Sequence, residues 1–164
     1  MVRPHNVFMH PPCCWSVATI VVGVGNPICG DDAVGLHVVR KVRERFQDAE
    51  VTVEEAMTGG LPLVERLAGY DRAVIVDSIR DGEAERGDIR RLTTDAFASA
   101  SDAHPHGIDF GTALEYLKRI SGGLPDIVVI GVVIGDCELS ERLSPAVAGA
   151  VPRAVDMVLA ELRR

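Results

Sequence analysis

Three stretches of this sequence, residues 18–24, 73–77 and 127–134, are apolar almost without interruption and rich in β-branched side chains. A strand with one face in water alternates apolar and polar residues. A strand with hardly any polar position must be covered on both faces, as in a parallel sheet lying between helices. The chain is therefore expected to fold as a three-layer α/β/α sandwich.

The segments between these runs carry the helices and the remaining strands. Gly25-Asn26-Pro27 reads as a turn after the first strand. Val34, Val38, Val42 and Phe46 then recur every four residues, which predicts an amphipathic helix over 32–46. A short second strand is expected over 51–55, and a short helix over 60–67 with Leu63 and Leu67 on one face. The third strand, 73–77, closes on Asp77. Residues 78–87 show no helical stripe and are too few for a crossover helix, so 88–92 is expected to pair antiparallel at an edge. Residues 93–107 read as a long polar loop of the kind more often functional than decorative. Phe110, Leu114, Leu117 and Ile120 mark the next helix, and 127–134 is the last strand. Ser144-Pro145 supplies a helix cap and a first-turn proline, followed by Val147, Val151, Val155, Val158 and Leu162. These elements give one domain over 17–164, with a mostly parallel five-stranded sheet and one antiparallel edge strand. Residues 1–16 contain Pro4, Pro11 and Pro12 without periodicity and are expected to be a flexible extension. His5, His10, Cys13 and Cys14 within it make a poor metal site, because adjacent cysteines seldom both reach one ion.

The net charge of -7 is spread along the chain, which argues against nucleic acid, since phosphate binding needs a basic stripe. Arg86, Arg90 and Arg91 are diluted by Glu85 and Asp88 and read as a solvated face. No stretch approaches the roughly 18 consecutive apolar residues of a membrane span. Four cysteines, two of them adjacent, make a poor disulfide framework for 164 residues, so a reducing cytoplasm is the expected compartment.

Ligands of an open parallel sheet bind beyond the carboxyl ends of its strands. The first such end reads Gly23-Val24-Gly25-Asn26-Pro27-Ile28-Cys29-Gly30-Asp31-Asp32. A dinucleotide fingerprint would need glycine where Ile28 stands. The phosphate-loop spacing of Gly25 and Gly30 leads to two acids where lysine and a hydroxyl residue belong. Carboxylates at a helix opening are stabilised by its free N–H groups but repel phosphate. At an effective dielectric of about 20, two unit charges roughly 4 Å apart interact by about 4 kcal/mol, enough to spoil such a site. A nucleotide reading would also need Glu54 or Glu55 to reach a ribose. Asp77 stands at the same rim, and His106 lies in His104-Pro105-His106-Gly107 before a helix. Asp32, Asp77 and His106 together offer two oxygens and one nitrogen with positions left open, a donor set suited to first-row divalent ions. Asp31 either caps the helix or joins the chemistry. Serine catalysis lacks a Gly-x-Ser-x-Gly elbow, and Ser78 has no evident histidine partner; His-Glu-x-x-His is absent. Cys29 is flanked by acids that raise a thiol pKa, so a half-buried packing role is expected for it.

The sequence resembles the endopeptidases that mature the large subunit of nickel–iron hydrogenases. The resemblance rests on Gly23-Val24-Gly25-Asn26-Pro27, Gly30-Asp31-Asp32-Ala33-Val34-Gly35, Thr58-Gly59-Gly60, Val76-Asp77-Ser78, Pro105-His106-Gly107, Ile130-Gly131-Val132 and Leu143-Ser144-Pro145. It implies a twisted five-stranded sheet between helices. It also implies an endopeptidase that removes the C-terminal extension of a nickel-loaded large-subunit precursor. The family's metal-contacting acid falls on Asp32, its second acid on Asp77 and its histidine on His106. These are the implied metal ligands and catalytic residues, with Asp31 as a further candidate. The implied metal is nickel supplied by the substrate, with zinc or cadmium able to occupy the site in vitro. A monomer acting on the hydrogenase precursor is expected. The alternative is a non-proteolytic chaperone or scaffold for the same nickel site. Cys29 stands where the family has an aliphatic residue, and Gly135-Asp136-Cys137 departs from its usual continuation, which leaves the roles of Asp136 and Cys137 open.

Overall fold

All six residues of the first strand are buried, and the rest of the molecule is arranged around it. The computed structural model of the chain describes residues 17–94, 96 and 110–164; residues 1–16, 95 and 97–109, His106 among them, lie outside the described residues, and of the expected 93–107 loop Thr94 and Ala96 are helical. The elements run β1 (Thr19–Val24), α1 (Val34–Arg45), β2 (Val51–Ala56), α2 (Gly60–Arg66), β3 (Arg72–Ile79), β4 (Ile89–Thr93), α3 (Phe110–Ser121), β5 (Asp126–Val133) and α4 (Pro145–Leu162). The five-stranded sheet has the order β2-β1-β3-β5-β4, parallel except for β4, which pairs antiparallel with β5 at the edge. The expected sandwich and antiparallel edge are both present. After β1 the chain moves out to β2, then returns past β1 to lay down β3. The direction of winding thus reverses between β1 and β3, where an open sheet leaves a crevice at its carboxyl rim.

The alternation of side chains along each strand divides the core in two. Val21, Val74, Val76, Val128 and Ile130 pack with Val34, Val38 and Val42 of α1 and Val147, Val155 and Val158 of α4. Ile20, Val22, Ile75 and Val129 pack with Leu63 of α2, Leu67 just after it, and Leu114 and Leu117 of α3. Among the described residues, no helix is long and apolar enough to cross a membrane.

One contact sets the height of α1 above the sheet. A Cβ on Gly23 would stand 2.5 Å from Cγ2 of Val39 and overlap the carbonyl of Gly35, while a Cβ on Gly35 would overlap the carbonyls of Val24 and Val76. At Gly35 the helix therefore meets the strands backbone to backbone, and at Gly23 the strand takes in the Val39 side chain. A turn of 3-10 helix, Gly30–Ala33, leads into α1, so the regular helix starts two residues later than the 32–46 span predicts.

The third strand also departs from expectation. It does not close at Asp77. It continues to Ile79, because Asp77, Ser78 and Ile79 find register partners in Gly131, Val132 and Val133 of the long apolar β5. Gly131 brings no side chain, and Ile79 fills the space, its Cδ1 lying 2.7 Å from where a Cβ of residue 131 would be.

Ion pairs close the margins of the sheet. At the rim where the strands begin, the buried Glu161 carboxylate accepts from Arg72, Arg91 and Arg164 at 2.8, 2.7 and 3.2 Å. This ties the end of α4 to β3 and β4. On the β2 edge, Glu55 pairs with Arg40 and Arg43, and Glu54 with Arg66. On the β4 edge, Arg90 reaches Asp81 and Asp88.

The backbone contact at Gly35 predicts that Gly35→Ala loses about 3 kcal/mol, since two carbonyls fixed in neighbouring strands cannot move aside as side chains do. Urea denaturation checks this: Gly149→Ala, whose Cβ meets nothing within 4 Å, should leave the midpoint unchanged or raise it slightly.

Candidate functional site

The loop from Gly25 to Ala33 is held at both ends by backbone. Gly25 N–H donates to the carbonyl of Ala56 at 3.1 Å, and Asp32 N–H to that of Cys29 at 3.1 Å. Its acids do not behave as helix caps. The positions preceding the 3-10 turn and α1 are Cys29 and Ala33, and neither makes a capping side-chain bond. Asp32 instead reaches across to β3. Its Oδ2 accepts from Asn26 N–H at 3.0 Å, folding the loop upon itself, and its Oδ1 accepts from the Ser78 hydroxyl at 2.7 Å. The N–H of the same serine donates to Oδ1 of Asp77 at 2.7 Å. Ser78 thus joins the two acids, one from the turn after β1 and one from β3, the strands that flank the reversal of winding.

Asp77 is almost fully buried, and burial pushes its carboxyl up to about 7. The negative charge of Asp32 contributes to that rise after burial, and the Ser78 N–H opposes both only in part. Near neutrality the pair can carry one proton, or two charges facing a cation. As ligands the two acids are hard oxygen donors. Among the described residues, no group of three histidine, cysteine, aspartate or glutamate side chains is placed to hold a metal ion. His106, the third expected ligand, is outside the described residues.

Asp31 departs from the capping role that sequence reasoning offered for it. It caps neither the 3-10 turn nor α1, and its carboxylate is held by Ser144. Oδ1 accepts from Ser144 N–H at 2.6 Å, Oδ2 accepts from the Ser144 hydroxyl at 2.8 Å, and Arg86 Nε lies 3.8 Å from Oδ2. The Ser144 hydroxyl also accepts from Val147 N–H, as its place at the start of α4 predicts. Asp31 therefore anchors the N-terminus of α4 to the glycine loop. It borders a polar cleft of about 260 Å³ that is also lined by Arg86, Asp136, Glu138 and Ser144.

The two residues left open after β5 separate. Asp136 lines that cleft with Asp31. The Cys137 thiol donates to the carbonyl of Cys29 at 3.5 Å, and it is pushed up by burial and then by the charge of Asp32, which puts it on the Asp32 side. Cys29 is half-buried, as expected. Glu54 and Glu55 lie within β2 and are held by arginines, which engages the acids a nucleotide reading needs. Sequence reasoning missed Ser78 as the link between the acids and Ser144 as the partner of Asp31. The available signal for the first was a hydroxyl residue directly after a buried strand acid.

Residues 36–161 match the hydrogenase maturation protease family, HycI. The hydrogenase 2 maturation protease of Escherichia coli K12 is 27% identical over 148 residues, covering 88% of this chain and 90% of that protein. The coenzyme F420 hydrogenase subunit delta of Methanothermobacter thermautotrophicus is 30% identical over 151 residues, covering 87% and 93%. Among solved structures, the hydrogenase maturating endopeptidase HybD from E. coli superposes with a TM-score of 0.77 at 27% identity, covering 88% of this chain and 91% of that one. The [NiFe] hydrogenase maturation protease HycI from Thermococcus kodakarensis superposes at 0.71 and 26%, covering 90% and 94%.

Two expectations follow from the acids. The unfolded chain releases the Asp77 proton near the ordinary carboxylate value of about 3.9, whereas the folded chain keeps it to about 7. Between those values the native state binds more protons, so the contribution of Asp77 falls as pH rises, by up to about 4 kcal/mol, and levels off above pH 7. Urea midpoints at pH 5 and pH 8 should show this loss in the wild type, and Asp77→Asn should remove it. Asp31→Ala, by contrast, forfeits two charge-assisted hydrogen bonds to Ser144, and calorimetry should register a loss of about 2–3 kcal/mol.

Proposed function

Because the chain belongs to the hydrogenase maturation protease family, we propose that it is a metal-dependent endopeptidase that removes the C-terminal extension of a nickel-loaded large-subunit precursor. It is homologous to the nickel–iron hydrogenase maturation endopeptidases. The observation that supports the metal part of the reading is the shared hold of Ser78 on Asp32 and Asp77, with Asp77 pushed up to about 7 beside its charged neighbour. Two acids kept this close in a buried place favour either a proton or an arriving cation.

Nickel belongs to the substrate in this scheme. Asp32 and Asp77 take its charge, and His106 adds a nitrogen donor from the loop before α3. Zinc or cadmium would compete for the same donors in vitro. A divalent ion next to the scissile carbonyl polarises it toward attack by water. The chain's own part is to orient the acids. Asn26 N–H and the Ser78 hydroxyl fix the two oxygens of Asp32, and Ser78 N–H fixes one oxygen of Asp77. Asp77 gives up its proton more readily when a cation offsets the charge of the pair, and a client without nickel supplies no such offset. Asp31 is assigned to holding α4, outside the reacting groups.

Incubating the purified protein with nickel-loaded and nickel-free precursor, and following product mass, tests this function. Only the loaded precursor should lose its extension. Asp77→Ala and His106→Ala should abolish processing while keeping the wild-type circular dichroism. Equal processing of both precursors overturns the nickel requirement. An intact loaded precursor, bound but uncut, would replace the endopeptidase by a nickel-site chaperone.

A further inference from the structure

The glycine loop runs beside the segment that follows β5. Cys29 and Ser140 are parallel bridge partners, Gly30 N–H donates to the Ser140 carbonyl at 2.7 Å, and Ser140 N–H donates to the Ile28 carbonyl at 3.1 Å. One residue back on each segment stand Ile28 and Leu139, 54% and 86% exposed. The Ile28 carbonyl that accepts from Ser140 N–H sets Ile28 beside the segment of Leu139 and Ser140, so the two exposed side chains belong to neighbouring stretches of backbone. Leu139 is the most exposed large hydrophobic side chain among the described residues.

We infer that Ile28 and Leu139 form an apolar foothold for the client polypeptide beside its scissile bond, an inference that rests on the endopeptidase reading. Three observations carry it. The foothold and the acids belong to one hydrogen-bonded loop, since Asn26 N–H holds Asp32 and the Ile28 N–H donates to the Asn26 side chain at 3.2 Å. A polypeptide resting on Ile28 and Leu139 is therefore held in register with Asp32. Next, the patch adjoins a rim crowded with Asp31, Asp32 and Asp77, where charge selects a cation but gives an uncharged backbone nothing apolar to rest on. Met57, directly after β2 at the carboxyl end of the neighbouring strand, is 63% exposed. Finally, the area decides between occupants. Two aliphatic side chains offer on the order of 200 Å², far below the roughly 800 Å² per partner of a standard protein interface. That area suits one or two side chains of a threaded peptide and is too small for a stable dimer of this chain.

The experiment compares wild type, Ile28→Ser, Leu139→Ser and Leu139→Met for binding of the nickel-loaded precursor and for processing of it. Each serine substitution should weaken binding ~10-fold and raise KM in parallel, with kcat at saturation within about twofold, because one buried aliphatic contact is worth about that factor. Leu139→Met should restore most of the affinity, and melting temperatures should not move. Wild-type affinity in both serine variants overturns the foothold. So does a wild-type dimer in light scattering that the double serine variant dissociates, which would make the patch a contact between copies. If the wild type binds precursor without cutting it, the endopeptidase reading fails and the affinity series still judges the foothold. If it binds no precursor at all, both fall.

Discussion

The backbone contact between α1 and the sheet is the constraint on which the site depends. Gly23 and Gly35 let the helix rest close against β1 and β3. That approach brings the end of the glycine loop down to the carboxyl rim. Gly25 serves the same purpose one turn earlier, where a Cβ would overlap the Asp32 carbonyl. A helix lifted by even one methyl layer would carry the Asp32 carboxylate away from the Ser78 hydroxyl, now 2.7 Å distant. A hydrogen bond tolerates only a few tenths of an ångström before it weakens. The small residues of this segment are therefore as much a condition of the chemistry as the acids they position.

Two aspartates of equal burial, each 7% exposed, show how partners decide what a buried acid does. Asp31 has two donors on Ser144 and a guanidinium nearby, so its charge is met where it lies. Asp77 has one N–H and a like charge beside it, and its ionised form is disfavoured. The first arrangement stabilises a fold. The second keeps in reserve an affinity for positive charge, and such unrelieved groups collect at working sites.

Much of the architecture was legible because burial on both faces leaves a simple mark. The apolar runs gave the central strands, and the helical spacing gave α1, α3 and α4. The short interval before residue 88 correctly placed β4 antiparallel at an edge. What stayed hidden was set by partners distant in sequence. The extension of β3 beyond Asp77 depends on β5, which lies about fifty residues downstream in register with it. The place of Asp31 depends on Ser144, at the far end of the chain in sequence. The acids followed from their place at strand ends, whereas the serine joining them carries no local pattern of its own. His106 was read from the sequence alone and remains part of the proposed reading.

The edges of the sheet bear opposite charges, with Glu54 and Glu55 along β2 and Arg90 and Arg91 along β4. A second copy laid edge to edge, β2 against β4, would seem to find its complement, and an open heterologous contact of that sort propagates into a filament. The ion pairs work against it. Each of these residues is already matched within its own molecule: the glutamates by Arg40, Arg43 and Arg66, the arginines by Glu161, Asp81 and Asp88. Charged edges guard against strand addition when the charge stays on the rim and is not left hungry for a partner. The same pairs that fasten α1, α2 and α4 to the sheet thereby leave these edge charges matched within the molecule.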